Sequence, residues 1–382
     1  KVMLDIQLKK ITNNFFKNEK IDPRVLDIHE ELLKHEFDCF LVGGCLRDLL
    51  SNKIPKDFDL VTNAIPNQIV KIFKKRARLI GKRFPIVHVR KGNLIAEVST
   101  FRSTQGLKRD FGKSGIILKD ESWGSMEEDA LRRDFTVNAL YYDPSSKQIF
   151  DYLDSIEDIQ EKSIRFIGPP IERIREDPLR MLRAIRFSAK LGTELDNAIK
   201  DSIKNSADQI SSVAKARLFD EFKKLFLSGH ALPVWEILIK TSLPRLMWPD
   251  CRIEDPLIKS GLAHTDQRVK EKKPLSPAFI IALLFWKTFK NKKNQTKSET
   301  SENIGENILR RQNRLMSIPL RFRAQALKIW LFQKKLEINH HNQNRSLIKD
   351  PAFRAGYDFL LIRREFESSL SNQANFWTNA QQ

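Results

Sequence analysis

At 382 residues the chain is long enough for two or more domains with a substantial buried core. Its 41% hydrophobic and 30% charged residues argue against disorder, and no stretch approaches the roughly 20 apolar residues needed to cross a bilayer. The formal net charge of +19 favours a polyanionic partner, because neutralising phosphates releases condensed counterions. Nucleic acid fits this better than an anionic membrane surface, since no basic amphipathic helix stands free of core duties.

From the N-terminus, Asp22–Glu36 is predicted as an amphipathic helix and Phe37–Val42 as a strand. Gly43 and Gly44 break the strand, and a helix is predicted over Cys45–Leu50. A strand over Asp57–Val61 and a basic helix over Pro66–Lys75 follow. Phe84–Val89 and Leu94–Phe101 alternate as paired strands around the turn Lys91-Gly92-Asn93. Gly106–Ser125 lacks periodicity and is expected to be a mobile loop.

From about Glu157 onward helical periodicity takes over. Asp177-Pro178 is a good helix start and Gly192 a good stop. Further helices are predicted near Lys215–Leu227, Leu232–Thr241, Pro277–Phe289, Leu320–Leu336 and Phe353–Leu370. Asn291–Asn303 is polar and expected to be a disordered loop. The predicted class is therefore α+β: a head with a small mixed sheet and helices over residues 1–155, then an all-helical neck over 156–250 and a helical body and tail over 251–382.

Cys39, Cys45 and Cys251 show no CxxC spacing, which fits a reducing, cytoplasmic compartment better than a disulfide framework or structural zinc. His264 and Asp266 form an HxD pair read as non-metal, and His340 and His341 lie in a polar, loop-like stretch. The chain opens on Lys1 rather than Met, so a trimmed start is expected and any targeting segment upstream lies outside this sequence.

The sharpest chemical signal begins at Val42-Gly43-Gly44. Two glycines let the backbone approach a phosphate, the following helix offers N–H donors, and Arg47 one turn on reaches towards the same place. Alone, such a pair is ordinary turn chemistry. Asp57-Phe58-Asp59 changes the balance: in a strand the acids project to one side while Phe58 and Leu60 face the core. Adjacent carboxylates repel unless a cation lies between them, and hard oxygen ligands suit Mg²⁺. Alone, the pair would be solvated surface acids. Glu97 on a neighbouring predicted strand offers a third carboxylate.

A second cluster holds Arg133, suited to a triphosphate, and Asp134, suited to orienting it or supporting the metal site; the plain alternative is a capped helix with a basic start. In a third, Asp177, Arg180, Arg183 and Arg186 recur every three residues along one helix, while Leu182, Ile185 and Ala189 bury a neighbouring face. An Asp–Arg pair can accept from an exocyclic amine and donate to a ring nitrogen, a pattern that adenine and cytosine offer and uracil and guanine do not. A solvated basic face with weak ion pairs is the competing reading.

In order over about residues 37–230, LVGGCLRDLL, KDFDLVTNA, EVSTFRS, DALRRDFTVNAL and REDPLRMLRAIRF resemble the class II tRNA nucleotidyltransferase and bacterial poly(A) polymerase family of the polymerase-β-like superfamily. The resemblance implies a nucleotidyltransferase head in which Asp57 and Asp59 hold two Mg²⁺ ions with Asp134 in support. It implies that Gly43, Gly44, Arg47 and Arg133 bind the triphosphate, that Asp177 and Arg180 select the base, and that Arg183 and Arg186 lie near the nucleotide. The implied reaction is two-metal nucleotidyl transfer from ATP to RNA 3′ ends, with basic helical residues holding the RNA and no membrane involved.

The segments from Leu79 to Val89, Ala216 to Glu221 and Ser276 to Phe279 resemble the poly(A) polymerase branch, although Pro85 stands where that branch has a basic residue. The Asp177–Arg180 logic accepts ATP or CTP, so a CCA-adding tRNA enzyme stays open as the alternative. A catalytically silent RNA-binding relative is disfavoured by the intact acid pair.

Overall fold

The computed structural model describes residues 7–81, 85–103, 123–296, 298–338 and 345–381. Residues 82–84 of the segment running from Leu79 to Val89, residues 106–122 of the expected mobile loop, and His340 and His341 lie outside them. The chain divides into two units, Lys1–Arg173 and Ile174–Gln382.

The first unit carries β1 (Lys9–Thr12), α1 (Pro23–Lys34), β2 (Cys39–Val42), α2 (Gly44–Leu50), β3 (Asp59–Thr62), α3 (Pro66–Phe73) and β4 (Ala77–Ile80). It continues with β5 (Ile86–Lys91), β6 (Leu94–Thr100), α4 (Met126–Arg132), β7 (Leu140–Asp143), β8 (Gln148–Asp151) and α5 (Ser155–Gln160). The strands form one eight-stranded sheet in the order β1-β8-β7-β2-β3-β6-β5-β4. Every adjacent pair is antiparallel except β3 and β6, which run parallel.

Local signals explain much of this. The Asp22 carboxylate caps α1 by accepting from the Arg24 N–H, Pro23 occupies the first turn, and Val25, Ile28 and Leu32 bury one face. Lys91 pairs with Leu94, so β5 and β6 form a hairpin whose tip bends at Gly92 with φ 61°. A core cluster joins Phe40, Val42, Val61 and Tyr141 of the sheet to Phe101 and Ile167.

Two sequence expectations in this unit need correction. The strand expected from Asp57 begins only at Asp59, and Asp57 lies in a bend before it. On the β2 side the ladder ends with Val42, opposite Asp59, because the chain turns away at Gly43. The in–out alternation survives: Asp57 is exposed, Phe58 buried, Asp59 half-buried and Leu60 buried. The compact unit also runs past residue 155 to Arg173. Arg165 donates to Asp158 and to the Leu153 carbonyl, and Arg173 to the carbonyls of Arg132 and Arg133, which ties this stretch to the head.

The second unit is helical. After α6 (Pro170–Glu176), which carries the chain across the boundary, come α7 (Leu179–Leu191), α8 (Asn197–Ser206), α9 (Lys215–Phe226), α10 (Ala231–Leu238) and α11 (Leu243–Met247). Then follow α12 (Pro256–Lys270), α13 (Pro277–Gln295), α14 (Ser301–Leu315), α15 (Leu320–Glu337), α16 (Phe353–Arg364) and α17 (Ser371–Ala380). Gly192, with φ 70°, closes α7 by donating to the Ala189 and Ser188 carbonyls.

The segment Asn291–Asn303, expected to be disordered, is largely helical. Lysines are good helix formers, and Lys292 and Lys293 complement the dipole at the end of α13. Thr300 then caps α14, its hydroxyl accepting from the Asn303 N–H. The helix expected over Phe353–Leu370 stops at Arg364; beyond it Glu365 bonds Ser260 and His264, and Glu367 bonds Lys290 and Arg363. Among the described residues no helix is long and apolar enough to cross a membrane.

Candidate active site

The head's site forms where β2 ends. Gly43 adopts φ 76° and ψ −130°, a conformation open to glycine, and α2 starts immediately after it. A Cβ placed on Gly43 would lie 3.7 Å from Arg133 Nη1 and 3.9 Å from Asp59 Oδ2, so the bend sits against both charges. The Arg47 side chain is buried and folds back over the start of its own helix, with Nη2 3.4 Å from where a Gly44 Cβ would stand. Arg47 Nη1 donates to Asn138 Oδ1 at 2.6 Å, and Asn138 Nδ2 donates to Asp134 Oδ1 at 3.1 Å. Asp134 also accepts from the Phe135 N–H. The structure thus links Asp134 to Arg47 through Asn138.

Asp59 is the first residue of β3, and the parallel register sets it beside Glu97 of β6. Burial, then the Glu97 charge, push the Asp59 carboxyl up to about 6; Arg133 pulls the other way and Asp57 adds to the rise. A carboxylate so disfavoured by burial and by neighbouring acids suits a cation. Glu97 also lies 3.4 Å from His88 Nε2 across the β5–β6 pair.

Among the described residues no group of three or more His, Cys, Asp or Glu side chains forms a complete metal cage. Mg²⁺ does not need one, since it is commonly held by one or two carboxylates with substrate phosphates and water completing the shell. Asp57 and Asp59 fit that mode as hard oxygen donors, and burial together with the Glu97 and Asp57 charges raises the Asp59 pKa, a cost that a cation would offset.

A cleft of about 310 Å³ opens at this point, lined among others by Asp59, Glu97, Ser99, Arg102, Arg132 and Arg133. Carboxylates and guanidinium groups lining one cleft can receive a polyphosphate together with its cation. Sequence reasoning missed Arg102, Arg132 and Asn138 as contributors. Arg132 and Asn138 stand inside the motif that contains Arg133, and Arg102 stands in EVSTFRS, but nothing local distinguishes their roles.

In the second unit the expected stripe lies on α7 and just before it. Asp177 Oδ2 accepts from Arg217 Nη2 at 2.7 Å, and Asp177 Oδ1 accepts from the Leu179 N–H. Arg180 Nη1 donates to Glu176 Oε2 at 2.7 Å. Arg186 Nε donates at 2.7 Å to the buried Glu221 of α9, and the Arg183 and Arg186 guanidiniums both lie over the Phe187 ring. The structure therefore supplies Arg217 and Glu221 as α9 partners of this set, neither of which the three-residue spacing identifies. His264 bonds Glu365, Asp266 accepts from the Ala231 and Leu232 N–H groups at the start of α10, and Cys39, Cys45 and Cys251 are buried free thiols.

Comparison with known proteins matches residues 39–165 to the family described as the poly A polymerase head domain. Residues 192–252 match one described as the probable RNA and SrmB-binding site of polymerase A, and 293–382 one described as the polymerase A arginine-rich C-terminus. Poly(A) polymerase I of Haemophilus influenzae is 35% identical over 97% of this chain and 88% of its own length. The corresponding protein of Salmonella typhi is 34% identical over 94% of this chain and 83% of its own. A CCA-adding enzyme of Geobacillus sp. is 34% identical over 58% of this chain and 53% of its own.

Among solved structures, a tRNA-processing enzyme in apo form I aligns with a TM-score of 0.67 at 20% identity, covering 97% of this chain and 92% of that one. The Bacillus stearothermophilus CCA-adding enzyme in complex with CTP aligns with a TM-score of 0.63 at 23% identity, covering 94% and 81% respectively. These likenesses establish the fold. With identity of this extent along nearly the whole chain, the protein belongs to the bacterial poly(A) polymerase family of nucleotidyltransferase enzymes, with CCA-adding enzymes as more distant relatives.

Proposed function

We propose that the protein is a polynucleotide adenylyltransferase that adds AMP from ATP to RNA 3′ ends without a template. The observation that carries this reading is the meeting of Asp59, Glu97 and Arg133 at the glycine bend in one cleft. Near-full-length identity to poly(A) polymerase I, against partial coverage by CCA-adding enzymes, favours ATP alone as substrate.

Asp57 and Asp59 are assigned to hold Mg²⁺, with Glu97 beside Asp59. Bound there, Mg²⁺ supplies acidification of the RNA 3′-hydroxyl and charge neutralisation at the leaving pyrophosphate. Gly43 and Gly44 admit the triphosphate to the backbone, and Arg47 and Arg133 bind its oxygens in planar, charge-assisted pairs. Asp134 holds Asn138, which in turn orients Arg47. Asp177 and Arg180 are assigned to the base edge, with Arg183 and Arg186 near the nucleotide.

Basic residues of the helical second unit, Ile174–Gln382, are assigned to the RNA backbone. This accords with the RNA-binding family match at 192–252 and with the net charge of +19. The free thiols accord with a cytoplasmic setting.

The deciding experiment gives the protein a generic RNA and each nucleoside triphosphate separately. Tails made from ATP alone are expected. Addition restricted to tRNA lacking its CCA end, with a need for CTP, would overturn the reading in favour of the CCA-adding alternative; no incorporation with any nucleotide would leave an RNA binder.

A further inference from the structure

The Arg133 guanidinium is held by groups of the head itself. Its Nε donates to the Tyr141 hydroxyl at 3.1 Å, its Nη1 to the Asn138 carbonyl at 3.3 Å, and its Nη2 to Asp129 Oδ2 at 2.8 Å. The same Asp129 oxygen accepts from the Tyr141 hydroxyl at 2.8 Å, which closes a triangle of hydrogen bonds. Asp129 Oδ1 accepts from the Arg102 N–H at 3.3 Å. Asp129 is 7% exposed and Tyr141 fully buried. Asp129 sits one turn before Arg133 in α4, while Tyr141 lies on β7 directly opposite Val42, the residue before the glycine bend.

This arrangement solves an electrostatic problem. Arg133 already acts on Asp59 through its charge, and Nη1 and Asp59 Oδ2 both lie near the Gly43 position. An arginine free to rotate would close on Asp59 as an ion pair, quenching a cation-binding carboxylate and occupying the guanidinium with the wrong anion. A fixed guanidinium also spares an incoming phosphate the task of ordering a long side chain.

We propose that Asp129 and Tyr141 are positioning residues for nucleotide capture, acting through Arg133 by locking its guanidinium beside the glycine bend and away from Asp59. The proposal rests on the assignment of Arg133 to the triphosphate.

The test uses the full chain and a mutant cycle of Tyr141→Phe, Arg133→Ala and the double variant, measuring KM for ATP, kcat, ATP binding without RNA, RNA affinity and melting temperature. Tyr141→Phe is expected to raise KM for ATP about tenfold with little change in kcat, the signature of lost uniform binding. RNA affinity should hold, and in the Arg133→Ala background the second substitution should change nothing further.

A tenfold effect of Tyr141→Phe that persists without Arg133 overturns the positioning role but leaves the Arg133 assignment standing. Normal ATP binding by Arg133→Ala removes that assignment, and this inference with it. Should Tyr141→Phe fail to fold, Asp129→Asn, which keeps the shape and one acceptor oxygen, decides through the same cycle: a KM effect dependent on Arg133 supports the proposal, and an unchanged KM ends it.

Discussion

Arg133 and Asp59 meet the glycine bend from the end of α4 and the start of β3, whereas Arg180, Arg183 and Arg186 follow one another along α7, with Asp177 just before it. In the head each group depends on its neighbours: Arg47 leans on Asn138, Asn138 on Asp134, and Arg133 on Asp129 and Tyr141. Around α7, Arg180 donates to Glu176, Arg217 to Asp177 and Arg186 to Glu221, while Arg183 and Arg186 share the Phe187 ring. Damage should therefore propagate furthest in the first set, where Asn138 and Tyr141 each bridge two charged groups.

Three experiments test that contrast. The largest effect is expected from Asp59→Ala or Asp57→Ala, which should lower incorporation by ~10²-fold or more while folding and RNA binding persist. Normal incorporation by either variant would remove the metal-site assignment. Next, Asp177→Ala should lower kcat/KM for ATP roughly tenfold, the worth of one charged hydrogen bond, and narrow the preference over UTP and GTP. Asp177 pairs with Arg217 and Arg186 with Glu221, so combining Asp177→Ala with Glu221→Gln should give near-additive effects, and strong non-additivity would show that the two pairs are coupled through α9.

The smallest effect concerns stability. The folded protein holds a proton on Asp59 up to about pH 6, against 3.8 for the ordinary carboxyl. The folded form therefore binds that proton more tightly than the unfolded chain does. The corresponding stability is complete below about pH 4 and is lost as pH rises through about 6. Melting curves in a chelator should show this decline, Mg²⁺ at pH 7 should reverse it, and Asp59→Asn should flatten it. An equal slope in Asp59→Asn would assign the decline to other groups.

The same contrast explains what could be read from residue order. Gly43, Gly44, Asp57 and Asp59 announce themselves because their meaning is local: a bend needs glycine, and residues two apart share a side. The α7 set is legible for the same reason, through helical spacing. Arg217 and Glu221 were hidden because they belong to another helix, and Asp129 and Tyr141 because a buried acid and phenol acquire their role only when α4 and β7 come together. In the sheet, β1, β4, β7 and β8 are not legible from residue order, whereas β2 and β3, equally short, are marked by the glycine pair and the paired acids beside them, and the hairpin of β5 and β6 by its alternation around Gly92. Helix ends at Asn291–Asn303 were misjudged because polar composition alone does not distinguish a solvated last turn from a loop.

The parallel pairing of β3 with β6 carries a consequence for assembly. Asp59 and Glu97 lie beside each other only through that pairing, because β4 and β5 intervene along the chain and form the hairpin that delivers β6. Such a crossover closes late compared with a local turn. A divalent ion that senses both carboxylates would then have little hold on a chain with an unfinished sheet and would stabilise the completed head selectively. Ion-dependent protection from proteolysis would thus report when the head has finished folding.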